Sequence, residues 1–332
     1  MKALVLHGQD ETPVVEEIDT PQPGPGEVQI RIEAAALNHR DVYITEGKYP
    51  AIMHPAVLGS DGCGTVTAVG EGVDSGWIDA RVLGNPSLNW GPDPRFQGME
   101  YSILGMPTQG TLAEYITLPV ENVARCPSHL ESAQAAAIPL AGLTAWRALV
   151  TRAQVARGDT VLVTGIGGGV ALFALQFALA LGAEVWVTSS SAQKIERAVA
   201  LGARGGALYT DEGWGGQLTE MVPSGFDVII DSAGGEGFGT LVRLLGFGGR
   251  LAFYGGTRGK WPKILPQYLF FKQVSILAST MGSPADFEAM VTCIAEHQIE
   301  PVVDQCFTLD EGAKAFERLS SGGQFGKVVV QV

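Results

Sequence analysis

Val161-Leu162-Val163-Thr164-Gly165-Ile166-Gly167-Gly168-Gly169-Val170-Ala171 runs from a β-branched strand through glycines straight into a long apolar helix. Glycines at such a joint let a pyrophosphate approach the backbone N–H groups at the helix start. The positive end of the helix dipole then meets the phosphate charge. The spacing is not the strict G-x-G-x-x-G. Gly165 and Gly167 begin that pattern, but Val170 takes its last place, while Gly165, Gly168 and Ala171 fit an alternative three-residue spacing. The strand–loop–helix context points to dinucleotide binding, with Gly165, Gly167, Gly168, Gly169 and Val170 as cofactor contacts. A purely structural βα turn is the alternative.

Outward from this loop the pattern repeats. Thr160 to Thr164, Glu184 to Thr188, Phe226 to Asp231, Arg250 to Tyr254 and Val274 to Ser279 read as strands, with helices at 170–181 and Ala192 to Leu201 between the first of them. Strands alternating with helices argue for a parallel sheet covered on both faces. Ligands of such sheets gather beyond the carboxyl ends of the strands. Three further segments therefore become candidate cofactor contacts: Asp231, Tyr254-Gly255-Gly256, and the end of the second strand. At that end an acid would bind ribose hydroxyls and oppose a 2′-phosphate. Ser189-Ser190-Ser191 and Lys194 stand there instead. Hydroxyls and an amine suit NADPH over NADH; capping of the next helix by Ser191 is compatible with either.

The first third reads differently. Lys2 to Leu6, Glu27 to Ala34 and Thr111 to Leu118 have strand character, and Gly59 to Val73 holds glycines among β-branched residues, as in a tightly curved sheet. Asn85 to Gly110 is rich in Pro, Gly and aromatics and reads as a long loop, with Trp90 joining Phe270 and Phe271 as candidates for an apolar lid. Glu131 to Leu149 reads as one helix. Near the end, 286–297 and 310–319 read as helices and Lys327 to Val332 as a strand. The expected fold is α/β: a Rossmann nucleotide-binding domain at 124–281 and a discontinuous, mainly β catalytic domain from 1–123 and 282–332.

Composition sets the outer limits. Hydrophobic residues make up 46% of the 332, and charged residues 17%, so the chain has ample apolar surface to bury and whole-chain disorder is excluded. The net charge of −13 and the lack of any basic run argue against nucleic acid as a partner. The four cysteines and five histidines are dispersed, and no two cysteines have metal-ligand spacing. The longest apolar stretch, Val170 to Ala183, contains Gln176 and is too short to span a bilayer. No signal-peptide architecture stands at the start, so a cytoplasmic location is expected.

Several segments in order resemble the medium-chain dehydrogenase/reductase superfamily. They are Gly59-Ser60-Asp61-Gly62-Cys63-Gly64, Gly70-Glu71-Gly72-Val73, Gly110-Thr111-Leu112-Ala113-Glu114-Tyr115, 139–146, the nucleotide loop and Phe325-Gly326-Lys327-Val328-Val329. The resemblance covers nearly the whole chain and implies a GroES-like fold for the β-rich domain. Within the superfamily the chain resembles the zinc-free quinone oxidoreductases, including proteins labelled zinc-type alcohol dehydrogenase-like. Zinc alcohol dehydrogenases of this superfamily carry ligands where this chain has Asn38, Ser60 and Leu140, and a structural zinc lobe where 85–110 has no cysteine. Neither zinc site is expected. Without a Lewis acid, alcohol ionisation loses its main support.

Asn38-His39-Arg40-Asp41-Val42-Tyr43 resembles the substrate segment of quinone oxidoreductases. The resemblance implies Tyr43 as donor to a carbonyl oxygen that gains charge as hydride arrives. It implies Asn38 as an orienting group for the substrate or the nicotinamide ribose, Thr144 as a residue near the nicotinamide, and Lys327 as a residue near the cofactor cleft. Packing roles remain open for all four. The implied activity is NADPH-dependent hydride transfer to a quinone or an α,β-unsaturated carbonyl, by a homodimer. An NADP-dependent alcohol dehydrogenase or carbonyl reductase, and a catalytically weak NADPH-binding protein of the crystallin-like type, are the alternatives.

Overall fold

The computed structural model describes residues 1–332. The chain divides into a β-rich unit, Met1–Leu143 with Gly282–Val332, and an α/β unit, Thr144–Met281. No helix is long and apolar enough to cross a membrane.

The α/β unit is built on six strands in the spatial order Gly205–Leu208, Glu184–Ser189, Thr160–Val163, Phe226–Asp231, Leu245–Phe253, Ser275–Ala278. Counted along the chain this is 3-2-1-4-5-6, and every pairing is parallel. It is the doubly wound order, with its switch point at the strand that feeds the glycine loop. Strands buried on both faces need continuous apolar runs. Val161 to Val163 and Val228 to Ile230 supply them and are all buried. The helix Gly169–Ala180 is apolar on most of its circumference because Ala171 to Leu175, Phe177 and Ala178 are buried. Phe177 meets Trp146 edge-on at 5.4 Å. Truncating so enclosed an aromatic costs about 3–5 kcal/mol.

In the β-rich unit the long strand Glu27–Ala36 is the organiser. It pairs with Asp61–Val69 on one edge, and with Tyr115–Pro119 and the C-terminal strand Lys327–Gln331 on the other. Register matters here. Ala36 lies opposite Asp61 and opposite Val329, and Leu37 N–H donates to Val328 O. The next step of that register sets Lys327 beside Asn38. Three remote parts of the chain thus meet at the end of one strand.

Two expectations need correction. Residues 131–149 are not one helix. Ser132–Ala136 ends, Pro139 opens a second helix to Trp146, and the pitch widens into a π-helix at Arg147–Arg152. Proline lacks the N–H that a continuous helix needs and suits a first position. The unit boundary lies after Leu143, not near 123. Residues 124–143 are fastened to the β-rich unit, through Arg81 Nη1 donating to Leu130 O and Leu140 N–H donating to Asp61. The loop 85–110 contains a small hairpin of Ser87–Leu88 with Ser102–Ile103.

Candidate functional site

Asn38 caps the helix His39–Thr45, and its backbone N–H donates to Asp41 Oδ2 at 2.7 Å. Its side chain is held at both ends. Nδ2 donates to Asp61 Oδ2 at 2.8 Å, and Oδ1 accepts from Lys327 Nζ at 2.6 Å. Lys327 also donates to Leu37 O at 2.7 Å and to Asp61 Oδ2 at 2.8 Å. An ammonium has three hydrogens, so these acceptors use all of them. Lys327 is buried, and all three of its hydrogens are spent within the β-rich unit. Asp61 is fully buried, and its other oxygen accepts from Leu140 N–H at 2.6 Å. Removing one partner of a buried ion pair costs about 3–5 kcal/mol, because the other charge is left stranded.

Arg40 belongs to the same buried cluster. Its Nη1 donates to Ser60 Oγ at 2.7 Å and to Leu104 O at 2.9 Å, and its guanidinium lies 4.7 Å from the centre of the Tyr49 ring. This clamps the 85–110 loop onto the helix start. Burial pushes the Asp41 carboxyl up, against the pull of Arg40 and of the Asn38 N–H. Tyr43, one turn into the helix, is half-buried, and its ring centre is 6.5 Å from that of His39. His39 still presents surface, but crowding and then the Lys327 charge hold its imidazole below the ordinary value.

The donor set does not fit a catalytic zinc. Asn38 and Ser60 are neutral and already hydrogen-bonded, and the Leu140 side chain has no donor atom. No group of three or more His, Cys, Asp or Glu side chains is placed to hold a metal ion.

The α/β unit presents a different surface. Gly165 has φ +64° and Gly167 φ +124°. A Cβ added to Gly167 would meet Lys194 Cδ at 2.8 Å and Nζ at 3.3 Å, while Cβ atoms at Gly165 and Gly168 would enter open space. Lys194 therefore stands over the glycine loop. Gly169 and Val170 form the first turn of the following helix, where N–H groups lack helical partners. This cradle fits a nucleotide diphosphate.

The three serines divide. Ser189 is buried and its hydroxyl accepts from Ser191 N–H at 3.2 Å, whereas Ser190 is exposed and Ser191 half-buried. Asp231 lies at the end of its strand. It is buried, accepts Thr164 Oγ1 at 2.6 Å and Gly234 N–H at 2.9 Å, and so shapes two loops from within. Burial raises the Tyr254 phenol. A Cβ on Gly255 would meet Ser232 O at 2.8 Å, and Gly256 is exposed to open space. Thr144 is buried, with Oγ1 3.7 Å from Met281 Sδ. Trp90 is buried, packs edge-on to Tyr101 at 5.5 Å and donates to Asp93 O. Phe270 and Phe271 are exposed and pack on each other.

Sequence reasoning missed Asp61, Arg40 and Tyr209. An aspartate inside a glycine-rich strand was the available signal for the first. Arg258 lies 5.2 Å over the Tyr209 ring, close to the serine turn because Tyr209 N–H donates to Ser189 O.

Residues 24–128 match the model of the alcohol dehydrogenase GroES-like domain, and residues 169–296 that of the zinc-binding dehydrogenases. A zinc-type alcohol dehydrogenase-like protein of Leptosphaeria maculans is 37% identical, over 95% of this chain and 93% of its own length. The chain belongs to the medium-chain dehydrogenase/reductase superfamily. An acryloyl-coenzyme A reductase of Metallosphaera sedula is 32% identical over 99% of both chains. A solved NAD-dependent alcohol dehydrogenase superposes with a TM-score of 0.93 at 38% identity, over all of both chains. The two units are thus a GroES-like domain and a Rossmann nucleotide-binding domain, and the protein is an NAD(P)-dependent oxidoreductase.

Proposed function

We propose that this oxidoreductase works without zinc and uses NADPH to reduce a double bond conjugated to a carbonyl, with quinones in the same acceptor class. One observation carries the reading. The positions that hold zinc in metal-dependent relatives are here an amide, a hydroxyl and an alkyl side chain, and the first two are committed to hydrogen bonds. A conjugated acceptor needs no alcohol to be ionised, only a donor for the oxygen that gains charge.

Bound NADPH supplies the hydride. The residues supply position and charge. Glycine-loop N–H groups hold the diphosphate, and Lys194 with Ser190 and Ser191 holds the 2′-phosphate. Tyr43 donates to the carbonyl oxygen, and Asn38 orients it with its remaining Nδ2 hydrogen. Thr144, Gly255 and Gly256 serve the nicotinamide end. The assembly we infer is a homodimer, and the location cytoplasmic.

The second reading is reversible carbonyl–alcohol chemistry, with Tyr43 polarising the carbonyl in place of a metal. Names among the relatives lean to this side, since two of the three are called alcohol dehydrogenase or alcohol dehydrogenase-like. The acryloyl-coenzyme A reductase supports the conjugated acceptor.

The test is single-turnover NADPH oxidation by chelator-treated protein with an enone, a quinone and a saturated aldehyde, using wild type and Tyr43→Phe. The enone should be reduced at the double bond, and the variant should be slower by about tenfold to a hundredfold, as for one lost donor. Turnover of the aldehyde alone selects the second reading. Zinc-restored activity removes the metal-free mechanism.

A further inference from the structure

We propose that the buried Asp61–Lys327 pair is a positioning group that fixes the orientation of the Asn38 amide, and so keeps an N–H rather than a carbonyl oxygen available to the acceptor. The role in turnover rests on the conjugated-carbonyl reading above; the fixing of the amide does not.

An ammonium only donates and an ionised carboxylate only accepts. Lys327 Nζ lies 2.6 Å from Asn38 Oδ1, and Asp61 Oδ2 lies 2.8 Å from Asn38 Nδ2. Turning the amide over would set its NH2 against the ammonium and its oxygen against the carboxylate. Both contacts would become repulsive at once. A single partner would leave the flipped state merely weaker. A charged pair of opposite sign, gripping both ends, excludes it. Nδ2 retains one hydrogen outside this grip, and Asn38 is 8% exposed.

The pair is itself held from several directions. Lys327 is 5% exposed and spends its third hydrogen on Leu37 O at 2.7 Å. Asp61 receives Leu140 N–H at 2.6 Å on its other oxygen. Strand register delivers both members, with Asp61 opposite Ala36 and Leu37 N–H bonded to Val328 O. Segments around 38, 61, 140 and 327 are therefore tied to one ion pair. In the zinc relatives that this chain resembles, residues at positions 38 and 140 are metal ligands. Here a carboxylate and an ammonium fasten the same two segments.

The experiment uses the full chain, selectively labelled with ¹⁵N-asparagine, as wild type, Lys327→Met and Lys327→Arg. Three quantities are measured: the Asn38 side-chain NH2 resonances, assigned by their loss in Asn38→Asp; NADPH affinity by titration; and single-turnover NADPH oxidation with an enone. In wild type the two Asn38 protons should be well separated, with one slow to exchange. Lys327→Met should collapse that separation and slow hydride transfer by about tenfold or more, as expected of a misplaced orienting group. NADPH affinity should change by less than about twofold, a free-energy change well under 1 kcal/mol. Lys327→Arg keeps the charge and guards against a variant that fails to fold. A planar guanidinium cannot reach three convergent acceptors as an ammonium does, so it should restore folding but not the full rate. Full recovery of the rate in Lys327→Arg with the Asn38 protons still collapsed would separate turnover from the amide and overturn the proposal. Weakened NADPH binding with an unaltered hydride-transfer rate would assign Lys327 to the cofactor and also overturn it. Unchanged Asn38 resonances in Lys327→Met would overturn it even if no conjugated acceptor reacts, an outcome that would separately remove the proposed function.

Discussion

His39 opens the helix that carries Tyr43, and its titration can be predicted with a sign. Crowding and the Lys327 charge both lower its pKa from the ordinary 6.5. The folded protein therefore holds this imidazole neutral where the unfolded chain has begun to protonate it. Its contribution to stability is complete above pH 6.5, falls as pH drops through that value, and levels off below the folded pKa. Wild type should lose stability relative to His39→Gln between neutral pH and pH 5, as read by denaturant unfolding at each pH (about one to two units around an ordinary histidine pKa). A constant difference between the two proteins would place the imidazole in ordinary solvent. A neutral His39 also cannot be the resident cation of the site; that charge is Lys327. The contrast in legibility is physical. Asn38 and Tyr43 lie in one short segment, so the segment itself displayed them. Asp61 and Lys327 are 266 positions apart, and only the register of the strand between them makes a pair. Lys327 was expected near a cofactor, and nothing local to it announced its contacts with Asn38 and Asp61.

The glycine loop was legible because its chemistry is local: a strand, missing side chains and a helix start are contiguous. The strand Gly205–Leu208 and the helix Trp214–Met221 were not, since Gly205, Gly206, Gly215 and Gly216 erase both periodicity and propensity there. The inward side chain of Trp90 was also hidden, because an aromatic in a proline-rich loop carries no period to say which way it faces. Within the loop, Gly167→Ala is the sharper substitution. Its φ of +124° is nearly closed to other residues, and the new methyl would meet Lys194 Cδ at 2.8 Å. The Lys194 side chain can swing away, but the backbone strain of about 1–3 kcal/mol is relieved only by moving the loop and should weaken NADH and NADPH alike. Lys194→Ala should act differently. A charge-assisted contact is worth about 1.5–3 kcal/mol, so NADPH should weaken by about tenfold to a hundredfold while NADH changes little. Fluorescence titration of both cofactors against both variants checks this. Equal losses in Lys194→Ala would move the lysine from the 2′-phosphate to the diphosphate.

The parallel sheet ends at Ser275–Ala278, which pairs only with Leu245–Phe253. An unpaired strand edge invites further pairing. Around it in the same unit the chain exposes large apolar side chains: Phe247 at 82%, Phe271 at 70% and Phe270 at 56%. Apolar surface of this kind in one region marks an interaction face. A second copy related by a two-fold axis offers the same edge and the same aromatics, so one patch satisfies itself. Charge opposes this association. Each chain carries −13, and two like-charged chains repel most strongly when salt is low. The expected outcome has two parts. Sedimentation should give twice the 34.9 kDa chain mass, with dissociation that weakens as salt is raised. Phe270→Lys with Phe271→Lys should give a folded monomer, because both side chains are exposed within the single chain and removing them opens no cavity in it. The resulting monomer should keep its thermal unfolding cooperative and its cofactor cradle intact. Wild type sedimenting as one chain at micromolar concentration, or the charged variant remaining a dimer, would place the interface elsewhere and leave the strand edge to be covered by some other contact.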